Sequence, residues 1–249
     1  MIRVGVSGAT GRMGSTLVKI IAQEQDMKLT AAIASPENPS LGVDIGEILG
    51  IGKLDVKLTS EVTENMDCLI EFSTPEATIS HLHKTKEYKI PMVIGTTGFK
   101  KDELKEIEET AKEIPIVLSP NMSLGINILF RILPDLVNLM EDYDIEIIEM
   151  HRKAKRDAPS GTALKLKEVI GKEIPIHSVR AGDIRGVHTI IFAGSAETLT
   201  ITHEVHAREV FARGTLPAIR FVVKAKPGLY SMKEVLENEL RIRRKGTAS

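Results

Sequence analysis

The chain has 249 residues, with 33 Lys and Arg against 34 Asp and Glu, and a formal net charge of −1. Hydrophobic residues make up 42% and charged residues 27%, which excludes a disordered chain or a fibrous repeat and leaves room for one large or two small domains. A charge near zero argues against nucleic acid or an anionic membrane as the main partner, because both select an excess of Lys and Arg. The lone Cys68 excludes an intramolecular disulfide framework and a multi-cysteine zinc site. No apolar run approaches the roughly 20 residues that cross a bilayer. The opening MIRVGVSGATG reads as a strand rather than a signal sequence, so a cytoplasmic protein is expected. With no Trp and 4% aromatic residues, the core must be aliphatic.

In chain order, Ile2–Ser7 is a β-branched run ending at Gly8. From Arg12 to Gln25, Met13, Leu17, Ile20 and Ile21 fall on one helix face. Leu29–Ala34 is a second strand, followed by a proline- and glycine-rich stretch that reads mostly as loop. Cys68–Phe72 is a third strand, and Pro75 suits the first turn of a helix reaching Tyr88. Met92–Ile94 and Ile116–Leu118 are strands on either side of a helix over Lys100–Lys112. This alternation predicts a parallel sheet covered on both faces. The pattern then changes. Gly125–Glu141 is a long helix containing Pro134, Asp144–His151 a strand, and Gly161–Gly171 a helix closed by its glycine. Val187–Ala193 and Glu197–Val205 are successive strands joined at Gly194-Ser195. Mostly antiparallel strands after a βαβ region suggest a second, α+β domain. The last segment, from about Leu216, is helical and is expected to return to the first domain.

Two segments carry chemistry. The first is Gly8-Ala9-Thr10-Gly11-Arg12-Met13-Gly14, between the first strand and the first helix. Small residues there let the backbone approach a pyrophosphate, and the helix N-terminus supplies N–H donors. Gly95-Thr96-Thr97-Gly98 and Ser119-Pro120-Asn121-Met122 also follow strands, at the edge where such sheets bind ligands. The second segment is His151-Arg-Lys-Ala-Lys-Arg-Asp-Ala-Pro-Ser-Gly-Thr162. Four cationic side chains, Arg152, Lys153, Lys155 and Arg156, precede a helix start with Ser160 as N-cap, a combination that suits an anion. His151 beside Lys155 is a candidate proton donor. The other histidines form no metal-ligand pattern, and His203 and His206 read as structural or exposed. Cys68 sits inside an apolar run and reads as a buried, inert thiol.

These segments, with Val93–Phe99, Asn121–Asn127, Asp144–Glu149, Val179–His188 and Ile201–His203, resemble the 4-hydroxy-tetrahydrodipicolinate reductase family, formerly dihydrodipicolinate reductase, over nearly the whole chain. The resemblance implies a Rossmann-like parallel-sheet cofactor domain from residues 1–122 and 217–249. It also implies an α+β substrate-binding and tetramerisation domain from 123–216. The implied reaction is transfer of a hydride from NADH or NADPH to a cyclic imine dicarboxylate on the diaminopimelate route to lysine, with no metal. The family's catalytic histidine and lysine fall on His151 and Lys155. The family's substrate-binding Gly-Thr falls on Gly161 and Thr162, and Arg152 and Ser160, the cation and the N-cap of the same anion-binding segment, are expected to join them as substrate contacts. Cofactor contacts fall on Gly8, Ala9, Thr10, Gly11, Arg12 and Met13, on Gly95, Thr96 and Thr97, and on Ser119, Pro120, Asn121 and Met122. Three positions depart from the common pattern: Arg152 replaces a second histidine, Met122 replaces a phenylalanine, and Ala34-Ser35 replaces the acidic end of the second strand. With no carboxylate there to repel a ribose phosphate, and Ser35 able to donate to one, NADPH is expected to serve at least as well as NADH. Dual use follows unless Glu37 folds back. Two other readings fit less well. A semialdehyde dehydrogenase needs an accessible nucleophilic cysteine, and a nucleotide-sensing regulator has no use for His151 and Lys155 beside an anion site.

Overall fold

The structure is a computed structural model, and it describes residues 1–246; the last three residues of the expected 217–249 segment lie outside them. The chain divides into two units, Met1–Ser123 with Phe211–Ser249, and Leu124–Val210.

The first unit is a seven-stranded parallel sheet. Its strands are β1 (Ile2–Ser7), β2 (Met27–Ile33), β3 (Leu58–Thr59), β4 (Cys68–Glu71), β5 (Met92–Ile94), β6 (Pro115–Leu118) and β11 (Gly228–Tyr230). The order is β11-β6-β5-β4-β1-β2-β3. From β1 the chain winds outward through β2 and β3, then crosses back to β4 and winds the other way. The order therefore reverses between β1 and β4, the place where doubly wound sheets bind ligands at their strand ends. The central strands are mostly apolar, as interior parallel strands tend to be: Val4, Val6, Cys68, Leu69, Ile70 and Val93 are all fully buried. The helix α1 (Arg12–Ile21) buries Leu17, Val18, Ile20 and Ile21. The helix α3 (Pro75–Tyr88) begins at Thr74, whose hydroxyl caps Ala77 N. α4 (Lys101–Ala111) adds Ile107 and Ala111 to the core, and a short α2 (Ile45–Ile48) lies within the loop region after β2.

The second unit is a four-stranded sheet, order β10-β9-β7-β8, from β7 (Asp144–His151), β8 (Ile176–Arg180), β9 (Val187–Ala193) and β10 (Thr198–Glu204). β7 and β8 are parallel and the other pairs antiparallel. Two helices, α5 (Leu124–Leu139) and α6 (Gly161–Ile170), pack on one face, against Ile145, Ile147, Ile190 and Phe192. The other face carries Glu146, Ile148, Met150, Val179, Thr189, Ile191, Thr200 and Thr202, none of them buried.

The end of the chain departs from the expected continuous helical segment. The helix α7 runs over Glu209–Val222, so it starts before Leu216 and takes Pro217 inside it. β11 and α8 (Met232–Gly246) then follow, with β11 pairing onto β6.

Candidate active site

In the first unit, the turn after β1 is built by glycines that cannot be replaced without a clash. Gly8 has φ +71°, and a Cβ there would stand 2.5 Å from the Phe72 carbonyl oxygen. A Cβ on Gly14 would stand 2.0 Å from the Gly8 carbonyl oxygen. Gly11 is the N-cap of α1, with no side-chain cap and no acidic residue in the first turn. The exposed Arg12 opens the helix. Uncapped N–H donors, one cation and no competing carboxylate fit a dinucleotide pyrophosphate.

Other expected contacts are placed less uniformly. Ala9 and Met122 are buried, and Ser119 is buried with its hydroxyl donating to Asn121 O at 2.9 Å. Pro120 and Thr97 are exposed. Thr96 is 5% exposed, and its Oγ1 accepts from Ser73 N at 3.2 Å and from Thr78 Oγ1 at 3.1 Å. Ser35 is exposed at the end of β2, and its hydroxyl donates to Glu37. That bond, with the Glu37 backbone N–H second, holds the Glu37 carboxyl below its usual range.

In the second unit, strand alternation decides what faces the helices. The apolar row Ile145, Ile147, Ile190, Phe192 gives way at one end to polar residues on the same face. One rung runs Ser178–Glu149–His188–His203 across β8, β7, β9 and β10, and the next pairs His151 with Arg180. Glu149 is fully buried. Arg180 grips both its oxygens, Nη2 to Oε1 at 2.5 Å and Nη1 to Oε2 at 2.9 Å. Ser160 N donates to Oε1 at 3.2 Å, and His151 Nδ1 lies 2.5 Å from Oε2. Burial opposes the charge on Glu149, but the bonds from Arg180, Ser178 and His151 outweigh it and hold the carboxyl down at about 2. An ionised carboxylate only accepts, so His151 donates from Nδ1 and keeps Nε2 for other work. A Cβ on Gly186 would come within 3.2 Å of that Nε2, so only glycine leaves it this much room.

Ser160 is the N-cap of α6 as expected: its Oγ accepts from Ala163 N at 3.3 Å. It is also buried, and its Oγ meets His188 Nε2 at 3.1 Å. Ser160 therefore braces the site from inside. The rings of His151 and His188 meet edge to face at 5.2 Å. Burial first, then coupling to the neighbouring His151 and His203 rings, pushes His188 down to about 4. Lys155 Nζ pairs with Asp157 at 2.8 Å and is about a quarter exposed. Arg152, Lys153, Arg156 and Gly161 are exposed, and Thr162 is partly so. His203 is partly buried and His206 exposed. Cys68 is fully buried, and burial pushes its thiol pKa well up. Glu149, Arg180 and His188 were missed as a set by sequence reasoning, although Glu149 and the 179–188 stretch lie in segments singled out for resemblance. Among the described residues, no group of three or more His, Cys, Asp or Glu is gathered as metal ligands, and no helix is long and apolar enough to cross a membrane.

A reversing parallel sheet with a glycine turn at its switch point, and a polar His–Glu–Arg cluster on an α+β unit, define a pyridine-nucleotide oxidoreductase. Residues 2–122 match the dihydrodipicolinate reductase N-terminus model and residues 125–236 the C-terminus model. The chain belongs to the dihydrodipicolinate reductase family. It is 39% identical to 4-hydroxy-tetrahydrodipicolinate reductase of Syntrophus aciditrophicus, over 95% of this chain and 98% of that one. It is 39% identical to the enzyme of the same name from Methanocaldococcus jannaschii, over 97% and 100%. Among solved structures, a dipicolinate-bound dihydrodipicolinate reductase from Paenisporosarcina sp. TG-14 matches with a TM-score of 0.78 at 25% identity, covering 93% of this chain and 97% of that chain. This chain is thereby a nicotinamide-dependent reductase of the diaminopimelate route to lysine.

Proposed function

We propose that His151 and Lys155 carry the proton chemistry of this reduction, and that Arg152, Ser160, Gly161 and Thr162 form the dicarboxylate's site around them. The observation that carries this reading is the bond from His151 Nδ1 to the buried, ionised Glu149. It fixes the ring and leaves Nε2 as the nitrogen that exchanges a proton. Loss of the substrate's 4-hydroxyl as water takes one proton at the leaving oxygen and releases one from the ring carbon beside the imine. Hydride addition to the conjugated imine so formed leaves an electron-rich enamine that takes a proton at that carbon, so one proton is consumed overall. Lys155 offers an ammonium donor in the same loop, held by Asp157. The exposed cations and the start of α6 offer the charge that two carboxylates require. A relative solved with dipicolinate supports a planar pyridine dicarboxylate as a competitor here.

The nicotinamide dinucleotide, when bound, supplies the hydride. Gly8, Ala9, Thr10, Gly11, Arg12 and Met13 would hold its pyrophosphate. Gly95, Thr97, the Thr96 backbone and the segment Ser119–Met122 would border it, with Ser35 near the ribose. Both NADH and NADPH serve in this reading. The Glu37 carboxylate at Ser35 adds the negative charge that the second strand otherwise lacks, and it weights the choice toward NADH.

The test is absorbance decay of NADH with enzymatically generated substrate. Folded Lys155→Ala should lose at least about a hundredfold in kcat/KM, through a lost proton donor and a lost carboxylate contact. His151→Gln should lower kcat with little change in cofactor binding. Near-normal turnover in folded Lys155→Ala sinks that role. A cytoplasmic location goes with this reading, and cell fractionation tests it. So does a homotetramer: the face of the second sheet away from its helices, with Ile148, Met150, Val179 and Ile191 among threonines, is a half-apolar surface suited to pairing with copies of itself. Sedimentation equilibrium should give about four times 27.3 kDa; a monomer at micromolar concentration refutes it.

A further inference from the structure

The first unit contains a second carboxylate–imidazole pair, its carboxylate buried and its imidazole partly so, and the chemistry above makes no use of it. Glu71 ends β4 and is fully buried. His81, on α3, places Nδ1 2.7 Å from Glu71 Oε2. A carboxylate only accepts, so Nδ1 carries the proton, and the same N–H reaches Ser7 Oγ at 3.3 Å. On its other oxygen, Glu71 accepts from Ser73 Oγ at 2.5 Å. Ser73 N in turn donates to Thr96 Oγ1, which Thr78 of α3 also supports.

These bonds converge on the glycine turn. Ser7 is the residue immediately before Gly8. Phe72 and Ser73 form the backbone against which Gly8 is seated, since a Cβ on Gly8 would stand 2.5 Å from Phe72 O and 3.5 Å from Ser73 Cα. The pair therefore holds both walls of the turn: the β1 wall through Ser7 and the β4 wall through Ser73. A fully buried carboxylate at this place is costly unless its oxygens are bonded.

We propose that Glu71 and His81 are positioning residues for the dinucleotide, fixing the spacing between the glycine turn and the β4 and β5 loops. This rests on the reading that the first unit binds a nicotinamide dinucleotide at Gly8–Met13. The experiment is direct titration with NADH, followed by nicotinamide fluorescence and independent of turnover, paired with steady-state kinetics. Glu71→Gln puts an amide donor against either His81 N–H or Ser73 O–H, and should raise the NADH Kd about tenfold. Ser73→Ala, a small change at a part-exposed residue, should raise it about threefold. In both variants, kcat at saturating cofactor and KM for the dicarboxylate should stay within about twofold of wild type. Thr85→Val is the control: it removes a buried hydroxyl of the same helix, bonded to His81 O, Leu82 O and Met92 Sδ. It should cost stability and leave the NADH Kd alone. If Glu71→Gln does not fold, Ser73→Ala decides. Wild-type Kd in folded Ser73→Ala and Glu71→Gln overturns the proposal, as does an equal rise in Thr85→Val. Wild-type protein that binds neither NADH nor NADPH overturns both this proposal and the reading beneath it.

Discussion

Glu149 shows how much a single side chain can set. A fully buried carboxylate keeps its charge only when donors occupy its oxygens, and Arg180, Ser160 N and His151 do so. Glu149→Gln would turn one oxygen into an amide donor facing either the Arg180 guanidinium or the His151 N–H. The ring then loses its reason to donate from Nδ1, and Arg180 is left without its charge partner. The expected result is a fall in kcat of about 10²-fold or more with cofactor KM unchanged, and a loss of roughly 3 kcal/mol in stability. Kinetics and chemical denaturation on the same preparation separate the two effects. Full kcat in a folded, destabilised variant shows that the orientation of His151 is not what Glu149 provides. Glu37 is the second single-residue case, because it is an exposed anion bonded to the Ser35 hydroxyl. Glu37→Gln should shift the ratio of kcat/KM for NADPH over NADH upward by roughly three- to tenfold at constant salt. An unchanged ratio removes Glu37 from cofactor choice and restores the simpler expectation from Ser35 alone.

At the scale of elements, local pattern and long-range pairing divide what could be read in advance. Ile2–Ser7, Pro75–Tyr88, Met92–Ile94, Asp144–His151 and Val187–Ala193 agree with the structure to the residue, because each is bounded by a turn, a cap or a switch in period. The cap at Ser160 and the αL glycine at 171 were equally legible, since both follow from chemistry within a few positions. β8 was not: Ile176-His-Ser-Val-Arg180 is a mostly exposed edge strand with no apolar alternation. β11 is three residues long. The early turns of α7 were hidden by Gly214 and Pro217, both poor helix formers. The same division applies to the site. His151, Lys155 and Ser160 lie in one continuous segment, so their association was visible. Arg180 and His188 reach Glu149 through strand register, and His81 reaches Glu71 through the packing of a helix on a sheet. A one-dimensional pattern carries neither relation, so the buried partners emerge only in the folded chain.

For the whole molecule, the polar cluster has a consequence that any measurement of global stability can read. His188 titrates at about 4 in the folded chain and near 6.5 when unfolded. Between those values the unfolded chain binds the extra proton, so stability falls as pH drops from 6.5 toward 4 and then levels off for this group. Glu149 titrates at about 2 when folded and near 4.5 when unfolded. Its contribution is complete above 4.5 and is lost as pH falls toward 2. Both groups therefore destabilise in acid, in successive windows, each by on the order of 3 kcal/mol when fully expressed. The upper window is the diagnostic one, because few carboxylates titrate above pH 5; partial burial also lowers His203, which adds its own loss of the same sign there. Denaturant unfolding at fixed protomer concentration should show stability declining by about 1 kcal/mol per pH unit through the middle of that window. In His188→Asn the decline between pH 6.5 and 5 should shrink to the part that the less buried His203 supplies, while the steeper loss below 4.5 remains because Glu149 is untouched. If wild type and His188→Asn lose stability in parallel from pH 6.5 to 5, His188 is not buried as a neutral ring in solution, and the packing of Ser160, His188 and His151 described above is wrong.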